Sequence, residues 1–574
     1  LTANTTGGQN TAVGQNALAT NTTGSGNTGI GNGALDASTT AANNTAVGHS
    51  AASLVSTGTQ NVAVGALALD ANTTASNNVA VGYNSLGANT TGGTNTAVGA
   101  TTLNANTTGS QNTGTGYGAL QNNTTANNNS GFGYAALNAN TTGAGNTAVG
   151  SFALDANTTA SNNTAVGFQS LTQVTTGAGN TAVGADALQQ LTTGGSNTAV
   201  GHFALDAATT ASSCVAVGRN CLSAVTTSGS NVAMGDNTGN SITTNSDNTI
   251  VGSLAGNSGN INQCTIIGKG AFANAGDGDA TSVFIGYNCG HNANSLSQNT
   301  AVGTQSLQES HSSFNCAFGF QAMINNTTGS GNNVAVGHQA MLDTTDGDTN
   351  TVVGSQAFMV NVSGDRAVAV GYEALRNSNV DMDTFNAAVG YQSGRAMTTG
   401  YFNTVLGGEA GKSITTAINN TCVGTSAGNG SITVYSNNTC LGYNAQTATN
   451  AGNSVTLGDS NISSLRCNTT SISSLSDVRD KTEIVSIPVG LDFINTLRPV
   501  KFKWQRRTPD QNDGKIRAGF IAQELQEAQK NNKYLNLVLE DDPNKLEASP
   551  ANLIPVLVKA IQELSVKVTA LEAG

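Results

Sequence analysis

Six consecutive residues near the C-terminal end could do chemistry together: Ser476, Asp477, Val478, Arg479, Asp480 and Lys481. A serine hydroxyl is a weak nucleophile until a base removes its proton. A lysine amine can be that base once burial weakens its hold on its own proton, and Ser–Lys is one variant of the serine-nucleophile arrangement. A serine and a lysine five residues apart, at a boundary between two compositions, read as a self-cleavage switch. Ser-Asp followed by charges is equally a helix start or a turn, so the spacing alone leaves both readings open.

The boundary is set by what precedes it. The chain has 574 residues, 70 glycines, one tryptophan and only 9% charged residues, against about 25% in an ordinary globular protein. Residues 1–475 hold 7 Lys and Arg and 19 Asp and Glu, whereas residues 476–574 hold 14 of each, so the whole net charge of -12 belongs to the first part. No Lys or Arg precedes Arg219. A surface without cations does not neutralise phosphates, which argues against nucleic acid and anionic membranes as partners. No apolar run approaches the roughly 18 residues that would span a bilayer, so no membrane insertion is expected. No basic segment with an apolar stretch opens the chain. It begins at Leu1, inside a repeat, and reads as the C-terminal piece of something longer.

The first part is periodic. The motif Asn-[Thr/Val]-Ala-Val-Gly starts at Asn10 and recurs every 17 residues through Asn248, then at intervals of 16 to 19 through Ser454, giving 27 units. A fixed period of this kind marks a solenoid or array. The unit is too short for two helices, and Asn, Gly and Thr are poor helix formers, so a coil of short β-strands is expected. Counting from the motif Asn, position five is Gly (Gly14, Gly31, Gly48), placed where φ is positive or a Cβ would clash. Position nine is nearly always Leu (Leu18, Leu35, Leu69). Stacking would gather these leucines into one internal ladder and the valines of the alternating Thr-Ala-Val stretch into another. Asn-Thr-Thr-Gly supplies Asx-type turns; its match to the N-glycosylation pattern is nearly automatic in such a composition. Coils spaced at about 4.8 Å would make a structure on the order of 130 Å long. One coil does not bury its leucine alone, so stability must come from neighbours, and side-by-side packing as a homotrimer would add to it.

Position six is often aromatic. Seven of the ten tyrosines fall there: Tyr83, Tyr117, Tyr134, Tyr287, Tyr372, Tyr391 and Tyr443. The row reads either as packing at a coil corner or between protomers, or as exposed rings that contact a host glycan or protein receptor. The eight cysteines (Cys214, Cys221, Cys264, Cys289, Cys316, Cys422, Cys440 and Cys467) include no CxxC pair and meet no histidine cluster, so no metal site and no cofactor are expected. They read as small structural residues.

Beyond the boundary, long aliphatics and the single tryptophan appear. Glu483 to Ile487 reads as a short strand, Leu491 to Leu497 as a helix or turn, Val500 to Trp504 as an alternating strand, and Gly519 to Gln529 as an amphipathic segment. Ile554, Leu557, Ile561, Leu564, Val568 and Leu571 are spaced 3, 4, 3, 4 and 3, the a/d seam of a short coiled coil over 551–572, or else the face by which a helix packs on its own domain.

Three of these segments carry a resemblance. Ser476–Lys481 fits the S-D-x-R-x-K motif, Leu497–Trp504 the "LRPVxFKW" strand and Gly519–Glu524 the "GFIAQE" segment of the peptidase S74 family, the intramolecular chaperones at the ends of phage tail spikes and fibres. The likeness covers about residues 476–572. It implies a cut just before the motif serine, at Leu475–Ser476, with Ser476 as nucleophile, Lys481 as base, and Asp477, Arg479 and Asp480 holding the geometry. The repeat resembles the stacked β-roll head repeats of trimeric autotransporter adhesins.

The expected fold is mainly β: a parallel β-solenoid or β-roll over 1–458, a linker over 459–475, and a small α+β chaperone with autoprotease activity over 476–574. The function this implies is a trimeric virus or phage fibre for host attachment, located on the virion and outside the cell, whose C-terminal region drives assembly and then cuts itself off. A bacterial trimeric adhesin with an uncleaved end is the alternative. A released transcription factor fits poorly with cation-free repeats, and a glycan-cleaving spike lacks an evident carboxylate pair.

Overall fold

The computed structural model describes residues 1–257, 259, 261–274, 281–293, 297–328, 331–447, 452–462, 465–466, 476–505, 514–540 and 546–574. It divides into two compact units, Leu1–Ser355 and Gln356–Gly574. In the first, three-residue strands run from β1 (Thr11–Val13) to β21 (Thr351–Val353), one per repeat. Each pairs with the next in parallel and in register, as in Thr45↔Val62, Ala46↔Ala63 and Val47↔Val64. Partners lie one repeat apart on the same chain, so each chain coils by itself. The protein is a parallel β-solenoid with a 17-residue repeat.

The leucines at position nine form the internal ladder expected of them: Leu18, Leu35, Leu69, Leu86, Leu103 and Leu120 are fully buried. The valines do not form a second one. In each strand the middle residue faces inward and its neighbours face outward, so Ala46, Ala63 and Ala80 are buried while Val13, Val98 and Val149 are exposed. A three-residue strand presents only one residue to each coil's interior, and that interior is already filled by the leucine and the buried alanine before it. Where the leucine is lost the volume is made up elsewhere. Gly239, Gly394 and Gly411 occupy position nine, and the space a Cβ would take is bordered by Ile242 and Ile250, by Met397 and Val405, and by Val405 and Ile414 respectively. These side chains fill space that a position-nine leucine would otherwise occupy.

Two backbone constraints set the approach of the coils. Gly48 and its equivalents combine a φ near +140° with a position where a Cβ would lie 2.5 Å from the carbonyl oxygen of Gly65, one coil on; both reasons for glycine therefore apply. The position-nine leucines themselves have φ near +50°, as in Leu18, Leu86 and Leu103, an unusual region for a non-glycine residue. Glycine takes up that φ freely where it replaces leucine, whereas Ala52, Phe272, Met323, Met341 and Phe358 hold the same φ with a side chain in the interior.

Buried amides close the stack. Asn44 donates its backbone N–H to Oδ1 of Asn27 (3.0 Å) and its Nδ2 to the Gly58 carbonyl (2.9 Å), and Asn61 repeats the pattern on Asn44. A second column at position twelve bonds similarly: Asn106 donates Nδ2 to Oδ1 of Asn89 (2.8 Å) and to the Gly109 carbonyl three residues on (2.9 Å). The side-chain bond to local backbone read from sequence is thus present, but as an amide NH₂ donating to a carbonyl three residues on rather than as an Asx turn, and with an inter-coil bond added. Asn21 and Asn106, the acceptors of the glycosylation pattern, are fully buried. The seven described cysteines carry no disulfide, and six are buried. Cys214 stands in for a ladder asparagine, its Sγ 3.7 Å from the Ser228 carbonyl. Cys467 lies outside the described residues.

The second unit holds six more strands, β22 (Val368–Val370) to β27 (Val455–Leu457), and then the α+β region. Its elements are α1 (Leu491–Thr496), β28 (Val500–Lys503), β29 (Ile516–Gly519), α2 (Ala522–Ala528), β30 (Val538–Leu539), β31 (Glu547–Ala548) and α3 (Ile554–Glu572). β28 and β29 pair antiparallel, as do β30 and β31. Leu525, Leu535, Leu537, Val538, Leu553 and Val556 form the core, flanked by Phe493, Ile494, Leu497 and Phe520. The strand expected over Glu483 to Ile487 is absent: the segment is irregular, with Ile484 and Val485 exposed. Among the described residues its alternation has no neighbouring strand to pair with. The amphipathic segment from Gly519 is split, Gly519 closing β29 and the helix beginning at Ala522.

Truncating Leu120 to Ala should cost the surrounding coils about 2–5 kcal/mol, read as lost amide-exchange protection in the strands Thr113–Thr115 and Ser130–Phe132; unchanged protection would refute the ladder's energetic role. A second expectation concerns pH. Burial raises the carboxyls of Asp155 and Asp206 above the usual aspartate range, and Oδ1 of Asp206 is buried without a hydrogen-bond partner. The folded coils therefore bind these protons more tightly than the unfolded chain does. Their unfavourable contribution grows as pH rises from the ordinary aspartate value through the raised one. The double substitution Asp155→Asn, Asp206→Asn should raise the melting temperature at neutral pH and flatten its dependence over that acidic window.

Candidate active site

The six-residue motif folds locally. Asp477 caps a 3₁₀ turn, Val478–Asp480. Its Oδ1 accepts from the Arg479 backbone N–H (2.9 Å) and from Nε of the same arginine (3.0 Å), and its Oδ2 from Nη2 (2.5 Å). The guanidinium and backbone bonds hold the Asp477 carboxyl below the usual range. The Asp480 N–H closes the turn on the Asp477 carbonyl at 3.2 Å, and the Lys481 N–H does so on the Val478 carbonyl at 3.2 Å. This geometry brings the Lys481 Nζ back onto the Ser476 Oγ, to which it donates a hydrogen bond. A nucleophile and an amine are thus within the reach that proton transfer requires. Both are exposed, so the burial that would favour a neutral lysine is not supplied by this chain's own described residues. Leu475 lies outside the described residues.

Behind the motif, the small domain is tied together by contacts between distant segments. Arg498, at the entrance to β28, pairs with Glu524 in the first turn of α2, with Nε 3.1 Å from Oε2. The pairing holds the Glu524 carboxyl below its usual range. The buried Gln529 accepts the Leu537 N–H at 2.6 Å. Glu563, on α3, accepts the Leu491 N–H at 2.8 Å and so caps the start of α1. Gly490 leaves room for that carboxylate: a Cβ there would fall 2.4 Å from Oε2 of Glu563. Neither Gly490 nor Glu563 could be singled out from sequence, because the Leu491–Glu563 bond that relates them spans 72 residues.

α3 separates its two apolar faces. Val556 is fully buried and Ala560 nearly so, against the domain's own core, whereas the seam residues Ile554, Ile561 and Leu571 are 60%, 65% and 81% exposed. The helix therefore packs on its own domain by a face other than the a/d seam. No helix among the described residues is long and apolar enough to cross a membrane, and among them no three His, Cys, Asp or Glu side chains gather as a metal would need.

The aromatic row is elsewhere on the chain. Tyr83, Tyr117, Tyr134 and Tyr287 belong to the first unit and Tyr372, Tyr391 and Tyr443 to the second, and all are exposed. Where coils bearing them are adjacent the rings stack: Tyr117 on Tyr134 with centroids 5.6 Å apart, and Tyr372 on Tyr391 at 5.5 Å.

Residues 476–534 match the Peptidase_S74 family, described as chaperone of endosialidase. The match begins at the motif serine and takes in the β28–β29 hairpin and α2. No curated protein matches the chain.

Because Trp504 is the sole tryptophan, its fluorescence reports on the C-terminal domain alone. Gly490→Ala must displace the Glu563 cap, and should lower that domain's stability by about 0.5–2 kcal/mol, the usual worth of a helix cap. A denaturation midpoint by Trp504 emission equal to that of the unsubstituted chain would show that the cap carries no weight.

Proposed function

We propose that this chain is the shaft and terminal assembly domain of a homotrimeric extracellular fibre of the virus or phage type, and that it matures by cutting itself between Leu475 and Ser476. The observation that carries the reading is the combination, in one small domain matching a chaperone family, of a Ser–Lys contact at its first residue and an unpartnered hydrophobic seam along its last helix. α3 is already docked by its Val556–Ala560 face, so the exposed seam is available to the equivalent helices of two further copies. A short parallel coiled coil of that kind would set the register of three nearly identical repeat stacks, which are otherwise prone to slip.

Assembly and chemistry are linked in this reading. Neighbouring protomers bury Lys481, which makes its amine a competent base. The amine takes the proton of Ser476 Oγ, and the oxygen attacks the Leu475 carbonyl carbon through a five-membered ring that includes the Ser476 nitrogen. The C–N bond breaks as that nitrogen takes a proton, leaving an ester between Leu475 and Ser476 Oγ. Water hydrolyses the ester, giving a new carboxylate at Leu475 and a free amine at Ser476. Asp477 and Arg479 hold the turn that keeps the pair together. Release of the domain leaves the shaft kinetically trapped. The exposed tyrosine row is the surface we assign to a host receptor. A bacterial trimeric adhesin that keeps its terminal domain would use the same seam without the cut.

The test is the intact mass and native size of the purified product. A trimer whose chains end at Leu475, beside a fragment starting at Ser476, is expected from the natural sequence. Ser476→Ala and Lys481→Met should each remain whole yet trimeric. Cleavage at the same bond in Ser476→Ala would refute the nucleophile, and a monomeric product would refute the fibre. Replacing Ile561 and Leu564 by Asp should abolish both trimer and cut; a cut monomer would separate assembly from chemistry.

A further inference from the structure

The outward face of the repeat strands is a surface that the fold leaves bare. Each strand turns its first and third residues, positions two and four of the motif, away from the coil interior. Across the strands β1 to β21 of the first unit, position four is Val, Ile, Phe or Met in every coil but one, where it is Thr115. Position two is Thr, Val, Ser or Cys throughout. None of these outward positions carries a charge. Val98, Phe132, Val149 and Val183 are 38%, 40%, 39% and 37% exposed.

In-register pairing stacks the position-four residues into a continuous apolar stripe, with Phe132 beside Val149 and Val149 beside Val166. At about 4.8 Å per strand the stripe is about 100 Å long. A parallel sheet is almost always covered on both faces. Here the coil interior covers one face, and among the described residues of the first unit nothing covers the other. A half-exposed side chain of this size leaves on the order of 40 Å² of apolar area, so the stripe amounts to about 800 Å² before the threonine methyls are counted. That exceeds what a monomer usually leaves as one apolar patch and matches what one partner brings to a stable interface.

Whatever covers the stripe must match its length and pitch. A small domain about 30 Å across would leave most of it bare, and an ionic ligand finds no counter-charge on it. A second copy of this chain, laid parallel, presents the same side chains at the same spacing, so the position-four column of each copy meets those of the others about a common axis. We propose that the shafts of the homotrimer pack side by side through this face, with the position-four column from Val13 to Val353 along the shared axis. The inference rests on the homotrimer reading and adds to it the face by which the shafts meet. The α3 seam sets register at one end, whereas the stripe supplies contact area along the shaft. Because the stripe lies in the repeats, the contact outlasts removal of everything after Leu475.

The experiment is cross-linking of the purified full-length chain. Val149→Cys and Val183→Cys each place a thiol on the stripe. Gln173→Cys places one on an exposed residue outside it, in the coil between. These variants and the unsubstituted chain, whose described cysteines are nearly all buried, are treated with a short bismaleimide and read by native mass and by denaturing gel. A trimer that yields covalently joined chains from both stripe variants, and none from Gln173→Cys or the unsubstituted chain, is expected. Monomers from the stripe variants alone, with the β-sheet circular dichroism retained, would equally support the stripe as the contact. A trimer whose stripe thiols take up a monofunctional maleimide but do not join would overturn the proposal and leave the homotrimer standing. Equal joining from Gln173→Cys would do the same. A monomeric unsubstituted chain would overturn the homotrimer reading, and the stripe's role with it.

Discussion

One buried carboxamide per coil is the interaction on which the repeat region depends. The asparagine opening each motif gives its oxygen to the backbone of the next coil and its NH₂ to a carbonyl on the far side of the turn. Without it, at least two buried backbone groups per coil would lose their partners, each at a cost of about 1–3 kcal/mol. The glycine column allows the approach that makes these bonds short, and the leucine supplies the apolar contact beneath them. Composition follows from this geometry. A chain built of closely stacked amides, glycine and threonine needs few charges.

The ladder is not unbroken. Cys214 and Cys264 keep the backbone N–H bond to the preceding asparagine but offer a thiol in place of the amide. At Ala367 no side chain can continue it, and the column begins again at Asn386, which bonds Asn403. Interior leucines likewise give way in the later coils, either to Phe272, Met323, Met341 and Phe358 at the same position or to glycine, with isoleucine, methionine or valine then taking the space. Irregular spacing and altered interior coincide in this later part of the repeat region.

Much of this was legible in the sequence because it is periodic. The 17-residue interval fixed the coil, the leucines announced the interior, and position-five glycine announced both its φ and its crowding. What escaped was decided by volume rather than pattern. Thr-Ala-Val alternates in two possible phases, and hydrophobicity favours valine inside; only the filled interior selects alanine. The Glu483 to Ile487 alternation failed for lack of a partner strand. In the C-terminal domain the Ser476–Lys481 contact could be anticipated because five residues and one turn contain it. The Arg498–Glu524 and Leu491–Glu563 contacts could not, since chain folding alone brings them together. Likewise the heptad spacing of α3 revealed a seam but not that the helix would dock by its other side.

The asparagine ladder has a further consequence. Main-chain bonds between neighbouring coils run both ways, as when Gly31 donates to Val13 while Thr11 donates to Asn27. The position-one side-chain bonds run only one way: each coil's N–H reaches toward the coil before it. The stack is therefore a polar lattice with two unlike faces. Its C-terminal face offers an amide oxygen, and the last of these, on Asn438, accepts from both the backbone N–H of Ser454 (3.2 Å) and its hydroxyl (2.9 Å). Its N-terminal face offers donors. Two such faces are complementary to each other and neither is complementary to itself, and a serine can stand in the column without ending it, as where the Asn299 N–H donates to the Ser282 hydroxyl at 3.1 Å.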